Sequence, residues 1–275
     1  MIRLFAAILF ALPAAAQDRT PSHCVALADA APGIEFLQTA SYGDPLGFDT
    51  VRLTYMDHAT FLLETTGGLT VATDYTGYTG ALDVVPTVVT MNNAHDTHWT
   101  SAPDPRIAHV LRGWADNGKA ADHYLDLGEM LIRNVPTDVR GRTFDPDAQP
   151  RANGNSIFVF EVAGLCIGHL GHLHHEPTPA QYATIGRLDV VMVPVDGGYT
   201  MDQAAMARVI RRFRSSVILP MHWFSATNLT RFLDSMAADF LIERRDGADI
   251  EIAMASLPDR PTIIVLSPHW LDGEP

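Results

Sequence analysis

The chain reads as an α/β protein of the α+β kind, with two mostly β layers and helices packed outside them. Two patterns predict this. Short β-rich runs separated by turns dominate the first half, and strands alternating with helical stretches fill the second. A third observation bears on function: histidine groups at 95–98, 168–175 and 220–223 each follow an apolar strand-like run.

Residues 1–16 begin with the basic M-I-R, continue through L-F-A-A-I-L-F-A-L-P and end on A-A-A before Gln17. This is the pattern of a secretory signal peptide cleaved near Ala16, which predicts an exported chain, periplasmic or secreted. The apolar run falls short of the roughly 20 residues needed to cross a bilayer. No later stretch approaches that length, so stable membrane insertion is not expected. Residues 17–50 are rich in Ala, Pro, Gly and Asp without periodicity and read as an extended lead-in. Residues 51–275 remain for the folded domain.

That domain opens with V-R-L-T-Y-M (51–56), T-F-L-L-E-T (60–65) and L-T-V-A-T-D (69–74), parted by D-H-A and T-G-G, the pattern of an antiparallel meander. T-V-V-T-M (87–91) is apolar enough to be buried on both faces. Residues 101–128, with Pro103 and Pro105, read as a loop, a short strand or helix, and a second loop. E-M-L-I-R-N-V-P (129–136) is a further strand, and the polar stretch 137–155 a long surface loop. S-I-F-V-F-E-V-A and L-C-I-G-H-L form a hairpin around Ala163 and Gly164. A short helix capped by Thr178 follows, then the strand L-D-V-V-M-V-P and a helix from about Met201 to Arg214. The strand S-V-I-L-P, a helix from Asn228 to about Ala238, and the strands D-I-E-I-A-M-A-S and P-T-I-I-V-L-S-P close the chain.

About 259 residues after cleavage, with 47% apolar residues overall, suffice for one large core or two fused halves. The net charge of −13 becomes −14 without Arg3, 18 basic residues against 32 acidic. That balance argues against nucleic acid or an anionic membrane as partner and leaves a small-molecule substrate as the expectation. Oligomeric state is left open. Two cysteines, Cys24 and Cys166, have three available fates: a bridge pinning the N-terminal segment to the core, a buried free thiol in G-L-C-I, or metal ligation. The absence of a CxxC neighbour argues against the last.

Several imidazoles released at strand ends can point into one hollow and share a metal, where without one they would repel or stay unsatisfied. His95, His98, His172 and His222 are the candidates. His23, His109, His123 and His269 stand apart and read as solvated or hydrogen-bonded residues.

The motif series itself resembles a known family. L-T-Y-M-D-H-A-T-F-L-L-E-T, V-A-T-D-Y, V-V-T-M-N-N-A-H-D-T-H, G-H-L-G-H-L, D-V-V-M-V-P-V-D-G-G-Y-T and V-I-L-P-M-H-W follow one another over residues 51–225. In that order they resemble the metallo-β-lactamase superfamily, and within it the branch of ascorbate-6-phosphate lactonase and N-acyl phosphatidylethanolamine phospholipase D. The resemblance implies a four-layer αββα sandwich, so that 51–275 is a metallo-β-lactamase-like domain. It also implies a metal-dependent hydrolase, with zinc as the first candidate.

The departures from that family are chemical. Asn93 stands where a metal histidine is expected and Thr97 where an aspartate is. His172 replaces the aspartate that bridges two metals in relatives, and His222 keeps the last ligand position. Asp138 is the nearest counterpart of a further ligand. An imidazole cannot bridge two cations, and losing both aspartates removes the charge that offsets a second dication. The resemblance therefore implies one ion, held by some of His95, His98, His172 and His222, with zinc favoured over other transition metals. Such an ion would bring a bound water to a pKa of about 7, giving hydroxide as nucleophile toward an ester, lactone or phosphoester. Asp96 and Asp196 are candidate proton carriers, His58 lines the hollow as a candidate catalytic residue and not a metal ligand, and Asp74 is a candidate acceptor behind a ligand imidazole. His174 and His175 extend the cluster. The competing expectation is a non-catalytic descendant acting as a binding or scaffolding module.

Overall fold

A computed structural model describes residues 19–26, 42–141 and 149–272. The signal-peptide expectation for 1–16 lies outside the described residues. In chain order the strands are β1 (Thr50–Asp57), β2 (Thr60–Thr65), β3 (Thr70–Ala72), β4 (Val88–Met91), β5 (His109–Arg112), β6 (Tyr124–Asp126) and β7 (Met130–Val139). There follow β8 (Arg151–Val162), β9 (Leu165–His169), β10 (Val190–Pro194), β11 (Val217–Met221), β12 (Leu241–Arg244), β13 (Asp249–Ala253) and β14 (Thr262–Val265). The helices are α1 (His23–Ala26), α2 (Pro179–Ile185), α3 (Gln203–Phe213) and α4 (Ala226–Met236).

One sheet has the order β13-β1-β2-β3-β4-β5, the other β12-β14-β11-β10-β9-β8-β7-β6. Both begin antiparallel and turn parallel: β3, β4 and β5 run together, as do β9, β10, β11, β14 and β12. The sheets face each other across Leu53, Phe61, Leu63 and Val88 on one side and Phe158, Phe160, Met192 and Leu219 on the other. Behind the eight-stranded sheet, Val191, Val193 and Ile218 pack against Ile185, Met206, Val209, Ile210 and Phe232 of the helices. Behind the six-stranded sheet, Met56, Leu62, Val89 and Met91 are covered, among the described residues, by loop side chains such as Ile107, Trp99 and Leu271. A strand covered on both faces has no polar side to show, which is why β4 and β10 are apolar and buried throughout.

The helix ends follow local chemistry. Thr178 and Gln181 form a capping box on α2, Asp202 caps α3 through the Ala205 N–H, and Ser225 caps α4 through the Asn228 N–H. The Ser225 cap moves the start of α4 two residues upstream of the expected Asn228. The surface loop expected over 137–155 is largely strand: β7 continues to Val139 and β8 begins at Arg151, with Thr137 opposite Asn155. Pairing between long neighbours overrides the weak β propensity of T-D-V and R-A-N-G-N. The part of that expectation falling on 142–148 lies outside the described residues. Within 101–128 the short strands β5 and β6 form.

Cys24 and Cys166 form a disulfide with Cα atoms 5.8 Å apart, so neither is a free thiol or a metal ligand. The lead-in is accordingly not simply extended. Its α1 turn is tied to β8, where buried Glu161 accepts from Ser22 Oγ at 2.5 Å and His23 N–H at 2.9 Å, and from Arg133 Nε at 2.7 Å. A bridge over 142 residues of sequence removes about 5 kcal/mol of unfolded-state freedom in the chain-entropy picture. Cys24→Ser is expected to lower the Tm, and wild type in reductant should match it. Equal melting of oxidised and reduced wild type would show that the bridge adds nothing.

Candidate metal centre

The parallel strands deliver their C-terminal ends to one edge, where ligand sites form in layered α/β folds. His222 follows β11 directly, Asp196 follows β10, His172 lies beyond β9, Asp74 beyond β3 and His98 beyond β4. His58 arrives from the β1–β2 turn. Its carbonyl accepts from the His222 N–H at 2.7 Å and from Tyr55 Oη–H at 2.8 Å, which brings the His58 and His222 rings to 4.0 Å. His58, Asp74 and His222 all have positive φ, at 46°, 44° and 57°. Three left-handed non-glycine residues in one site are held there by the bonds around them.

Those bonds decide which nitrogens are free. The His98 Nδ1–H donates to Asp74 Oδ2 at 2.8 Å, both groups fully buried, and Asp74 Oδ1 accepts from the Asn92 N–H at 2.8 Å. The His222 Nδ1–H donates to Asp196 Oδ1 at 3.1 Å. Asp196 also accepts from the N–H groups of Gly198, Tyr199 and Thr200 and from the Thr200 hydroxyl. With Nδ1 of each ring committed as donor, the Nε2 atoms of His98 and His222 both present lone pairs, and they stand 3.3 Å apart. One nitrogen each of His58, His98 and His222 lies within 4.8 Å of the other two, and His58 Nε2 is buried without a hydrogen-bond partner.

Converging lone pairs and an orphaned nitrogen are unfavourable unless a cation joins them. Two nitrogens bound to a tetrahedral zinc at about 2.0–2.1 Å would stand about 3.3–3.4 Å apart, the separation found between His98 and His222. The donor set fits the ion.

A family model described as the beta-lactamase superfamily domain matches residues 52–222. The chain belongs to this superfamily. A UPF0173 metal-dependent hydrolase of Methanosphaerula palustris is 25% identical over 185 residues, which is 63% of this chain and 84% of the relative. Its counterpart in Methanoculleus marisnigri is 24% identical over 184 residues, 63% and 81% of the two chains. A crystal structure from Thermotoga maritima, assigned to the metallo-β-lactamase superfamily, superposes with a TM-score of 0.55 at 27% identity over 78% of this chain and 98% of that one.

In this β-lactamase superfamily protein the electrostatics follow burial. Burial, then the neighbouring His222, depresses the His98 pKa well below the ordinary imidazole value, and the same causes bring His58 down to about 3. Burial pushes Asp74 up to about 6, so its carboxyl is ionised at pH 7. Burial would raise Asp196 too, but the bonds from His222, Thr200 and the backbone outweigh it and hold Asp196 well below the carboxylate range. The structure thus places Asp196, expected as a proton carrier, as an acceptor behind the His222 ring.

Other expected residues fall elsewhere. Asp138 is exposed and accepts from the Asn153 N–H at 2.8 Å on the far side of β7, so it is not a ligand. Asp96 is exposed and absent from the lining of the cleft beside the histidines. His95 is an exposed rim residue, its ring 5.7 Å from His172 and 5.9 Å from His98, outside the His58–His98–His222 group. His175 is exposed behind His174. His172 lies close, its ring 4.6 Å from that of His98, but its Nδ1 meets His174 Nε2 at 2.6 Å. Buried His169 serves structure: its Nδ1 accepts from the Gly171 N–H and its Nε2–H donates to the Ala59 carbonyl at 2.8 Å.

Sequence reasoning missed the cleft's cations and aromatics. A cavity of about 660 Å³ is lined by Arg140, Arg151, His95, His172, Tyr199 and Phe224 among others. Arg140 and Arg151 sit in the stretch read as loop, and Tyr199 and Phe224 are 65% and 55% exposed. Large exposed aromatics next to strand-end histidines were the available signal. Gly171, next to His172, has φ +59°, and a Cβ there would lie 2.5 Å from Asn92 Cβ. Gly171→Ala is expected to cost about 1–3 kcal/mol of stability, read by denaturant unfolding. An unchanged midpoint would show that the surroundings of Gly171 yield freely.

Proposed function

We propose that the chain is an exported metal-dependent hydrolase that holds one ion between His98, His222 and His58 and acts on an ester, lactone or phosphoester. The observation that carries this is the pair of Nε2 lone pairs 3.3 Å apart, each fixed by a buried carboxylate behind its ring. His98, His222 and His58 would hold a zinc ion there, and that ion would supply Lewis acidity for activating water. Asp74 and Asp196 keep the two imidazoles in the ligating tautomer and place two negative charges one ring away from the ion. Tyr199 and Phe224 offer apolar surface for a substrate body, and Arg151, whose Nη2 donates to Asn93 Oδ1 at 2.8 Å, adds positive charge at the rim.

Relatives named metal-dependent hydrolases support the reaction class, and the resemblance to the lactonase and phospholipase branch supports the ester or phosphoester. Export is supported by the M-I-R…A-A-A start and by a disulfide, which persists in oxidising compartments. Among the described residues no helix is long and apolar enough to cross a membrane. The test is metal analysis of purified protein together with hydrolysis of nitrophenyl acetate, bis(nitrophenyl) phosphate and a simple lactone. Protein that takes up no added zinc would remove the reading.

One observation favours a non-catalytic binding module. Asn93, where the resemblance implies a metal ligand, is bound to Arg151 and bridged to Asn155, a structural use of that position. Hydrolysis that appears only after Asn93→His, Thr97→Asp and His172→Asp are combined would decide for that alternative.

A further inference from the structure

We infer that His172 is the site's hydrogen-bond donor and not a metal ligand, an assignment that rests on the one-metal reading above and says how the remaining imidazole serves it. The tautomer is set from outside the ring. Arg140 donates twice to His174 Nδ1, from its backbone N–H at 2.9 Å and its Nε–H at 3.3 Å. An imidazole nitrogen that accepts carries no proton, so neutral His174 holds its proton on Nε2. That proton lies on the 2.6 Å contact with His172 Nδ1. His172 thus accepts at Nδ1 and carries its own proton on Nε2, where no lone pair is left for a cation. His98 and His222 have the opposite arrangement, since their Nδ1 protons go to Asp74 and Asp196.

One turn governs both tautomers. The amides of Gly198, Tyr199 and Thr200 bind Asp196, which accepts from the His222 Nδ1–H. The carbonyls of the same three residues accept from Arg140 Nη2 at 2.8, 3.0 and 2.7 Å, which aims Arg140 at His174. Residues 198–200 therefore hold a ligand imidazole on one side and a donor imidazole on the other. His172 lines the cleft, its ring 4.6 Å from His98 and 5.2 Å from His222, and among the described residues its Nε2 meets no hydrogen-bond partner. A preorganised N–H at that place suits the negative oxygen that develops on an acyl or phosphoryl group. The ligand it takes is an oxyanion. Arg140 and His174 are positioning residues that act through His172.

The test is ¹⁵N NMR of the full chain labelled at histidine, loaded with zinc, with His172 assigned from the resonances missing in His172→Gln. The expected spectrum shows His172 protonated at Nε2 and His98 and His222 protonated at Nδ1. His172→Gln and His172→Asn should keep the wild-type zinc stoichiometry, and inorganic phosphate should shift the His172 Nε2–H resonance saturably. His174→Phe should mix the two His172 tautomers, an effect that simple packing would not produce. A His172 ring deprotonated at Nε2, loss of zinc in both folded His172 variants, or no response to phosphate would overturn the assignment. Wild type that binds no zinc would instead sink the one-metal reading, while the tautomer remains measurable in the metal-free protein.

Discussion

His98→Ala is expected to leave purified protein without bound zinc after loading and desalting, where wild type retains one ion per chain. His98 is fully buried, its Nε2 lone pair faces that of His222 at 3.3 Å, and among the described residues Asp74 behind it has no other imidazole in hydrogen-bond contact. Alanine removes a ligand and also leaves the Asp74 carboxylate buried without its partner, which adds a stability cost of about 1–3 kcal/mol or more. The two effects separate in Asp74→Asn. That variant keeps every histidine and should weaken zinc about 10- to 100-fold through loss of tautomer control. Binding measured by competition with a chromophoric chelator checks both. Wild-type affinity in His98→Ala would place the ion elsewhere.

The second large effect is stabilisation by zinc, coupled to pH. At 1,000 times its dissociation constant, zinc should add about 4.1 kcal/mol and raise the Tm by roughly 8–16 °C for a chain of this size. In the metal-free protein His58, His98, His169, His172 and His174 all have pKa values below the ordinary imidazole value, chiefly through burial. A folded-state pKa lowered to about 3, as at His58, means that the unfolded chain binds the extra proton between pH 6.5 and 3. The stability these rings contribute is fully present above pH 6.5 and is lost as the pH falls. Asp74, raised to about 6, opposes this below that pH, and burial raises Glu64, Asp189 and Asp249 in the same opposing sense, so the loss set by the five imidazoles is clearest between pH 7 and 6. The metal-free Tm should therefore drop from pH 7 to pH 6. A flat profile over that range would contradict the burial of these rings as neutral groups.

Much of the architecture was legible from pattern because the physics is local or repetitive. Turn residues at 57–59 and 66–68 mark the meander, and V-V-T-M and V-V-M-V-P can only be strands covered on both faces. Thr178 announced its helix because the capping box is written within four residues. The strand ends at 137–139 and 151–155 were hidden, since only pairing with one another makes T-D-V and R-A-N-G-N extended. The site divided in the same way. Strand-end position brought forward His95, His98, His172 and His222 together without separating the pair His98 and His222 from the other two, and Asp74 was read as an acceptor behind a ring, where it meets His98. His58 was legible as a residue lining the hollow, but its approach to the His222 ring was not, because that depends on a turn carbonyl capping a strand more than 160 residues later.

The sequence by itself determined that this chain builds two sheets and carries imidazoles to the strand ends, because periodicity, turn residues and caps act over a few residues. Only the tertiary structure decided what each imidazole does. A histidine has two nitrogens, and the one left free is set by whatever touches the other. For His98 and His222 that partner is a carboxylate 24 or 26 residues away in the chain, and for His172 it is a neighbouring histidine aimed by Arg140. Those partners become neighbours only when the strands are laid side by side.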